Sequence, residues 1–349
     1  MIIGGYFGLN PWQRGTSFAA VADGAYTADR FIYNKVGTMV HTIQKSTDVP
    51  VYTFPYKPSV VSTSSLLIDC TTADAAIAAA DLCTISYKME GYDYCFYAQQ
   101  GFKVTFYVKA TKTGIYCFSI RNSGSDRSFV SEYTISVANT WQKKTIFIDA
   151  SPTAGTWDYT NGVGMVLTWT LAAGSNFQTT ADAWQAGNFL ATSNQVNACD
   201  NILNNFQLES IKIGFWDATD ALPAIDAKQT FQDVLHLCQR YYQKSYNTGV
   251  APGTATAVGA ITHVNALANT FSGSDRLLPA QMRDTPTMAW YSTTTGTVAN
   301  IRNTTGAADV ATTGTASAGM GSTGVPTVAA IAADQETAFH WTANAELLF

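Results

Sequence analysis

Acid–base chemistry on this chain would have to come from four histidines and a scatter of carboxylates. A glycoside hydrolase needs two carboxyl groups facing one cleft. Asp126, Glu132, Asp149, Asp158 and Glu209 are spread along the sequence, and no spacing marks two of them as a pair. A serine hydrolase needs a serine, a base and an orienting acid. The sequence holds no G-x-S-x-G, and His41, His236, His263 and His340 lie in unrelated contexts. The chain is therefore read as non-enzymatic, with no catalytic residue assigned and no cofactor expected.

Ligand chemistry has three further sources. Six cysteines, Cys70, Cys83, Cys95, Cys117, Cys199 and Cys238, include no C-x-x-C pair. Spacing thus argues against zinc, and most or all of the thiols read as reduced, buried small hydrophobes made in a reducing compartment. Asp23 and Asp29 in "VADGAYTADR" and Asp200 in "ACDN" could hold a structural calcium ion through loop oxygens, but EF-hand spacing is absent from the sequence. Aromatic rings are the remaining option, because their faces stack on the apolar faces of sugars. Trp12, Trp157, Trp184, Trp216, Trp290 and Tyr291 are candidates. Trp157 in "AGTWDYTNGVG" and Trp184 in "ADAWQAGNF" fall in polar, loop-like segments, and these two are taken as the glycan-binding residues. Trp141 and Trp169 read as core.

What must position these residues is strand-rich. Of 349 residues, 46% are hydrophobic and only 13% charged, with a net charge of −5. The charged share is about half the usual ~25%. Ser, Thr, Asn, Gln and Gly must supply the polar surface, as in strand-rich proteins that work outside cells or on particles. There is no basic run to favour nucleic acid and no apolar stretch of membrane-span length. The first residues lack a secretory leader, so synthesis in the cytoplasm is expected.

Residues 1–222 read as a jelly-roll β-sandwich. Phe102, Val104, Phe106 and Val108 alternate with polar partners in "FKVTFYVKA", predicting one apolar face. "TKTG" then predicts a hairpin into "IYCFSIRN". "SFVSEYTISV" and "KKTIFIDA" predict further strands. "GVGMVLTWTL" is apolar on both faces and belongs mid-sheet. "NFQLESIKIGF" offers Phe206, Leu208, Ile211 and Ile213 to the core, with a bulge at Glu209-Ser210 where the alternation breaks. The alanine-rich segment 71–83 is open between a helical turn and a loop entering a strand. The long polar segment before the last strand reads as an exposed loop pinned by Trp184.

One amphipathic helix is expected at residues 230–246, "TFQDVLHLCQRYYQKSY". Phe231, Val234, Leu235, Cys238, Tyr241 and Tyr242 share one face of a 3.6-residue period. Thr230 can cap it, and Arg240 and Lys244 suit its C-terminal end. Residues 223–247 are read as a link, and 248–349 as a smaller C-terminal β-domain. Residues 311–330 are low in complexity, either a flexible loop or a strand pair with very small side chains.

"PWQRGTSF", "DGAYTADRF", "VTFYVKATKTGIYCFSI", "YTISVANTWQKKTI", "GVGMVLTWTLAAGS", "FQLESIKIG", "CQRYYQKSY", "MRDTPTMAWYS" and "FHWTANAEL" occur in this order. The ordered set, over nearly the whole chain, resembles tailed-phage virion proteins of the tail-fibre and appendage type. The resemblance implies a carbohydrate-binding-module-like jelly roll, the "CQRYY" helix and a terminal β-domain. It implies a structural protein of the virion, assembled in the host cytoplasm, with other virion proteins and host surface polysaccharide as partners. Because the sandwich begins at residue 1, a short tail fibre, a fibre tip or a head or collar appendage is expected. The helix face, Phe231, Val234, Leu235, Cys238, Tyr241 and Tyr242, is the expected domain or oligomer joint of a homotrimer. The competing reading is a monomeric carbohydrate-binding module of a cellular protein.

Overall fold

The structure, a computed structural model, describes residues 2–54, 57–216, 229–265, 268, 276–328 and 331–347. It is an all-β chain with a jelly-roll sandwich, a short amphipathic helix and a smaller β-unit. Chain contacts define two units. The first comprises Met1–Asn10, Thr16–Phe231 and Leu347–Phe349; the second comprises Pro11–Gly15 and Gln232–Glu346. No described helix is long and apolar enough to cross a membrane.

The first unit is two large antiparallel sheets and a small two-stranded one, Val51–Phe54 with Lys57–Val61. One large sheet runs in the order Ser17–Phe18, Val40–Ser46, Ser65–Thr72, Asn205–Phe215, Phe102–Ala110, Gln142–Ile148. The other runs Trp184–Ala186, Arg127–Ile135, Gly114–Asn122, Val163–Ala173, Leu82–Glu90, Phe31–Val36, Ala25–Tyr26. The chain repeatedly crosses between sheets, so inward side chains of both interdigitate in one core. Phe102–Ala110 alternates buried and half-buried along its length, as its sequence predicts. All eleven residues of Val163–Ala173 are buried, between Gly114–Asn122 and Leu82–Glu90. Trp169 meets Phe106 at 90° and Phe118 at 61°, the edge-on geometry that aromatic quadrupoles favour. Phe206, Leu208, Ile211 and Ile213 are buried. The bulge is present: the register slips between Glu209 and Lys212, and Ser210 takes a φ of 51°.

The expected hairpin through "TKTG" does not form. Phe102–Ala110 and Gly114–Asn122 lie in different sheets, and Phe106 and Phe118 approach within 5.9 Å across the core. Both strands carry an apolar inward face, and the turn carries the chain from one sheet to the other. Within segment 71–83, residues 73–81 are a loop between strands Ser65–Thr72 and Leu82–Glu90. The polar segment ahead of the last strand is more tied down than expected. Trp184–Ala186 pairs with Arg127–Phe129, and Leu190, Ala191, Ala198 and Cys199 are buried.

The second unit is built on the strand Glu336–Asn344, to which Tyr242–Lys244, Ile261–Val264, Thr287–Ser292 and Asn300–Asn303 all pair. Its core includes Met282, Trp290, Ile301, Phe339 and Trp341. Much of the low-complexity region lies in a strand pair, Ala308–Ala316 with Val325–Val328.

The helix is shorter than its periodicity suggests, covering Phe231–Gln239 only. Arg240 and Tyr241 form a turn, with the Tyr241 N–H donating to the Cys238 carbonyl at 3.0 Å. Tyr242–Lys244 is a strand against Thr342–Asn344. Tyrosines prefer strands to helix interiors, and here ladder pairing outweighs a continued helical face. Of the expected face, Val234 and Cys238 are buried within the helix, Leu235 is half-buried and Phe231 is exposed. Tyr241 and Tyr242 are buried outside it. Residues 223–228 of the expected link lie outside the described residues.

Candidate functional site

The two tryptophans singled out by their loop-like sequence surroundings meet at one rim of the sandwich. Trp157 and Trp184 approach to 5.7 Å between ring centroids at 72°. Beneath Trp157 lies the buried ring of Tyr94, stacked at 5.1 Å and 13°. Tyr159 also stacks on Tyr94, at 5.8 Å and 15°, and is 42% exposed. Trp184 rests on Phe129, its cross-strand partner. The result is an aromatic surface of Trp157, Tyr159 and Trp184 founded on the buried rings of Tyr94 and Phe129.

The backbone explains why these rings hold position. Tyr94 ends the short helix Gly91–Tyr94, which follows directly on strand Leu82–Glu90. That helix lies against Gly164, where a Cβ would stand 2.5 Å from Tyr94 Cβ and 2.8 Å from Gly91 Cα. Gly91 in turn accepts the loop carrying Trp157: a Cβ on Gly91 would meet the Thr160 nitrogen at 2.5 Å and the Asp158 carbonyl at 2.7 Å. Main-chain hydrogen bonds fix this approach, from Gly91 N–H to Gly162 carbonyl and from Tyr92 N–H to Thr160 carbonyl.

Asp126 pins the other end of the loop. Its carboxylate accepts from the Thr156 N–H (3.1 Å), the Thr156 hydroxyl (2.9 Å) and the Asn122 amide (2.6 Å). Hydrogen bonding by Asn122 and then Thr156 holds this carboxyl below its ordinary pKa. Both indole N–H groups are committed to main-chain carbonyls, Trp157 to Ala154 (3.1 Å) and Trp184 to Asp149 (3.0 Å). The rings are thereby oriented and can offer their faces rather than their donors. Tyr94 and Ser151 hydroxyls share a hydrogen bond of 2.9 Å, and burial pushes the Tyr94 phenol well above its usual range.

Asp149, whose carbonyl accepts from the Trp184 indole, also lines a cleft. Asp149, Ala150, Gln100, Gly101, Phe215 and Trp216 border an open depression of about 720 Å³. Trp216 donates to the Phe102 and Ile148 carbonyls, and its ring is 48% exposed. Phe147, 6.1 Å from Trp216, is 54% exposed.

The remaining sequence candidates disperse. Trp12 and Trp290 are buried, Tyr291 is half-buried and contacts Tyr246, and Trp141, expected in the core, is half-buried with its N–H on Asp48. The calcium candidates do not assemble. Asp23 accepts from the Lys35 and Asn34 nitrogens, Asp29 is buried, and Asp200 pairs with Lys112 and accepts from Asn204. Glu132 accepts from Thr192 and Asn194, and Glu209 from Ser62. His236 is exposed on the helix. Five of the six cysteines are buried, and Cys95 is exposed. Sequence reasoning missed Tyr94, Tyr159 and Phe215. The aromatic density of "GYDYCFY" and "TWDYT" was the available signal.

No family model matches the chain, and no curated protein does. Among solved structures, it is similar to the enzymatically active domain of bacteriophage CBA120 tailspike protein 4, at 13% identity and a TM-score of 0.29. That match covers 56% of this chain but only 21% of the tailspike chain. A structure described as a CBM4 matches at 12% identity and a TM-score of 0.29, covering 59% of this chain and 99% of its own. The family 11 carbohydrate-binding module of a cellulosomal cellulase of Clostridium thermocellum matches at 12% identity and a TM-score of 0.28, covering 58% and 95%.

Proposed function

We propose that the chain is a non-enzymatic structural protein of a phage virion appendage whose sandwich binds a host surface glycan. The observation that carries the binding claim is the meeting of Trp157 and Trp184, with Tyr159, on rigid footings at one rim. A sugar ring presents C–H bonds on its apolar face and stacks on an aromatic face, while its hydroxyls need polar neighbours. The exposed Thr160 and Thr156, and Asp149, border these rings and supply such neighbours. The virion setting rests on the ordered phrases of the sequence, and the low charge and small side chains of the second unit suit close packing in a homotrimer. The carboxylates near the rings serve the fold: Asp126 and Asp158 each close their own loop by accepting from main-chain N–H groups.

The test is calorimetric titration with bacterial O-antigen polysaccharides and with β-linked glucose oligosaccharides. Binding by the intact chain is expected, with Trp157→Ala and Trp184→Ala each weakening it about tenfold, ~1.4 kcal/mol. Unchanged affinity in both variants would remove the rim as the binding surface. New reducing ends released from the polysaccharide would overturn the non-enzymatic reading.

A further inference from the structure

At another place in the sandwich, four residues distant in sequence converge in the core. His41 and Cys70 are directly opposite one another on neighbouring antiparallel strands, so their side chains share one face of the sheet. Cys83 enters from strand Leu82–Glu90 of the facing sheet, and Cys199 from the connection before the last long strand. All four are buried, at 1%, 2%, 0% and 0% exposure. The ligand atoms of His41, Cys83 and Cys199 all lie within 4.8 Å of one another. Cys83 Sγ is 3.9 Å from His41 Nδ1, and Cys70 Sγ reaches the Cys199 carbonyl at 3.8 Å. The Tyr33 hydroxyl holds His41 Nδ1 at 2.7 Å, while His41 Nε2 is buried with no hydrogen-bond partner.

We propose that His41, Cys83 and Cys199 bind a thiophilic metal ion, zinc or copper(I), as three protein ligands of a tetrahedral site. Bonds of about 2.3 Å to sulfur and about 2.0 Å to nitrogen put tetrahedral ligand atoms roughly 3.4–3.8 Å apart. The cluster needs only a small contraction from its present spacing. Thiolates and an imidazole select soft or borderline ions, and with no carboxylate in the set a calcium or magnesium ion has nothing to bind. A metal here would tie strands from both sheets to the connection bearing Cys199, so its role is structural. The sequence conceals the site because the ligands come from three separate segments rather than a C-x-x-C pair.

The experiment is elemental analysis of the full chain purified without chelator from zinc-supplemented cells, followed by cobalt(II) exchange. One zinc or copper per chain is expected, the element measured deciding between the two. A thiolate-to-cobalt charge-transfer band is expected, lost in Cys83→Ser and Cys199→Ser but kept in Cys95→Ser, whose thiol is exposed. Should the serine variants fail to fold, the wild-type chain alone decides: chelator should lower its melting temperature and zinc restore it. Less than a tenth of an equivalent of metal, with no cobalt band, would overturn the proposal. So would a Cys83–Cys199 disulfide in the peptide map.

Discussion

Trp157 and Trp184 lie 27 residues apart in sequence, on a loop and an edge strand, yet their rings meet at 5.7 Å and 72°. Contacting residues couple energetically. In a double-mutant cycle on glycan binding, Trp157→Ala with Trp184→Ala should lose clearly less than the sum of the single losses, by ~0.5 kcal/mol or more. Strict additivity would mean that each ring contributes alone and that their contact is incidental.

The footing under Trp157 should matter without touching ligand. Gly164→Ala places a methyl group 2.5 Å from Tyr94 Cβ, and Gly91→Ala drives one into the backbone at Thr160. Neither clash can be relieved by a flexible side-chain tip alone. Both variants should stay folded, lose about 1–3 kcal/mol of stability, and weaken glycan binding severalfold. Unaltered binding in a correctly folded Gly91→Ala would show that the loop does not need this seat.

Asp126 gives the site a pH limit. Its carboxyl is held below the ordinary value by Asn122 and Thr156, so the folded form stays ionised where an unfolded chain takes up a proton. The contribution is complete above about pH 4 and is lost as pH falls through the folded value. Affinity measured from pH 7 to pH 3 should be flat and then drop below about pH 4. Asp126→Asn should flatten that drop at the cost of weaker binding throughout. A wild-type profile that is already falling at pH 6 would point to another group.

His340 sets a different window, in the second unit. It is fully buried, stacks on Tyr246 at 3.8 Å, and contacts the Ser245 hydroxyl and the Thr256 carbonyl through its two nitrogens. Burial lowers its pKa, and the bond to Thr256 only partly opposes this. The folded imidazole therefore stays neutral where the unfolded one charges. Stability is complete above the ordinary value of about 6.5 and declines as pH falls below it, down to the folded value. The melting temperature of the second unit should drop between pH 7 and pH 5, less steeply in His340→Gln. His263, also lowered by burial and then by Arg276, remains in both proteins and cancels in the comparison.

In the proposed trimer, helix variants should separate folding from assembly. Val234 is 3% exposed, so Val234→Asp should destabilise the second unit by about 3 kcal/mol. Leu235 is half-buried, and Leu235→Asp should fold yet fail to trimerise. Light scattering should give three times the 37.5 kDa chain mass for the wild type and a single chain mass for Leu235→Asp. A wild-type monomer would favour a lone binding module, and a trimeric Leu235→Asp would clear the helix of any part in assembly.

Periodicity made much of the sandwich legible. Phe102 to Val108, the doubly apolar run around Trp169, and the break at Glu209-Ser210 each carry a local signal that the three-dimensional structure obeys. Pairing carries no such signal: "TKTG" announces a turn, but whether the next strand stays in the sheet depends on the core across from it. The helix shows the same limit, since Tyr241 and Tyr242 satisfy a helical spacing while ladder partners at Ala343 and Asn344 claim that stretch. For the candidate site, polar surroundings marked Trp157 and Trp184, while no local pattern announced that their rings meet at 5.7 Å. Tyr94 was hidden by its aromatic neighbours, and the His41–Cys83–Cys199 cluster by the distance between its members.

The most direct measurement follows the indole N–H resonances of a nitrogen-15 labelled chain as a binding glycan is added. The account predicts that Trp157 and Trp184 shift together, with one dissociation constant, while the buried Trp169 and Trp290 stay still. Saturating glycan that leaves Trp157 and Trp184 unmoved would contradict it.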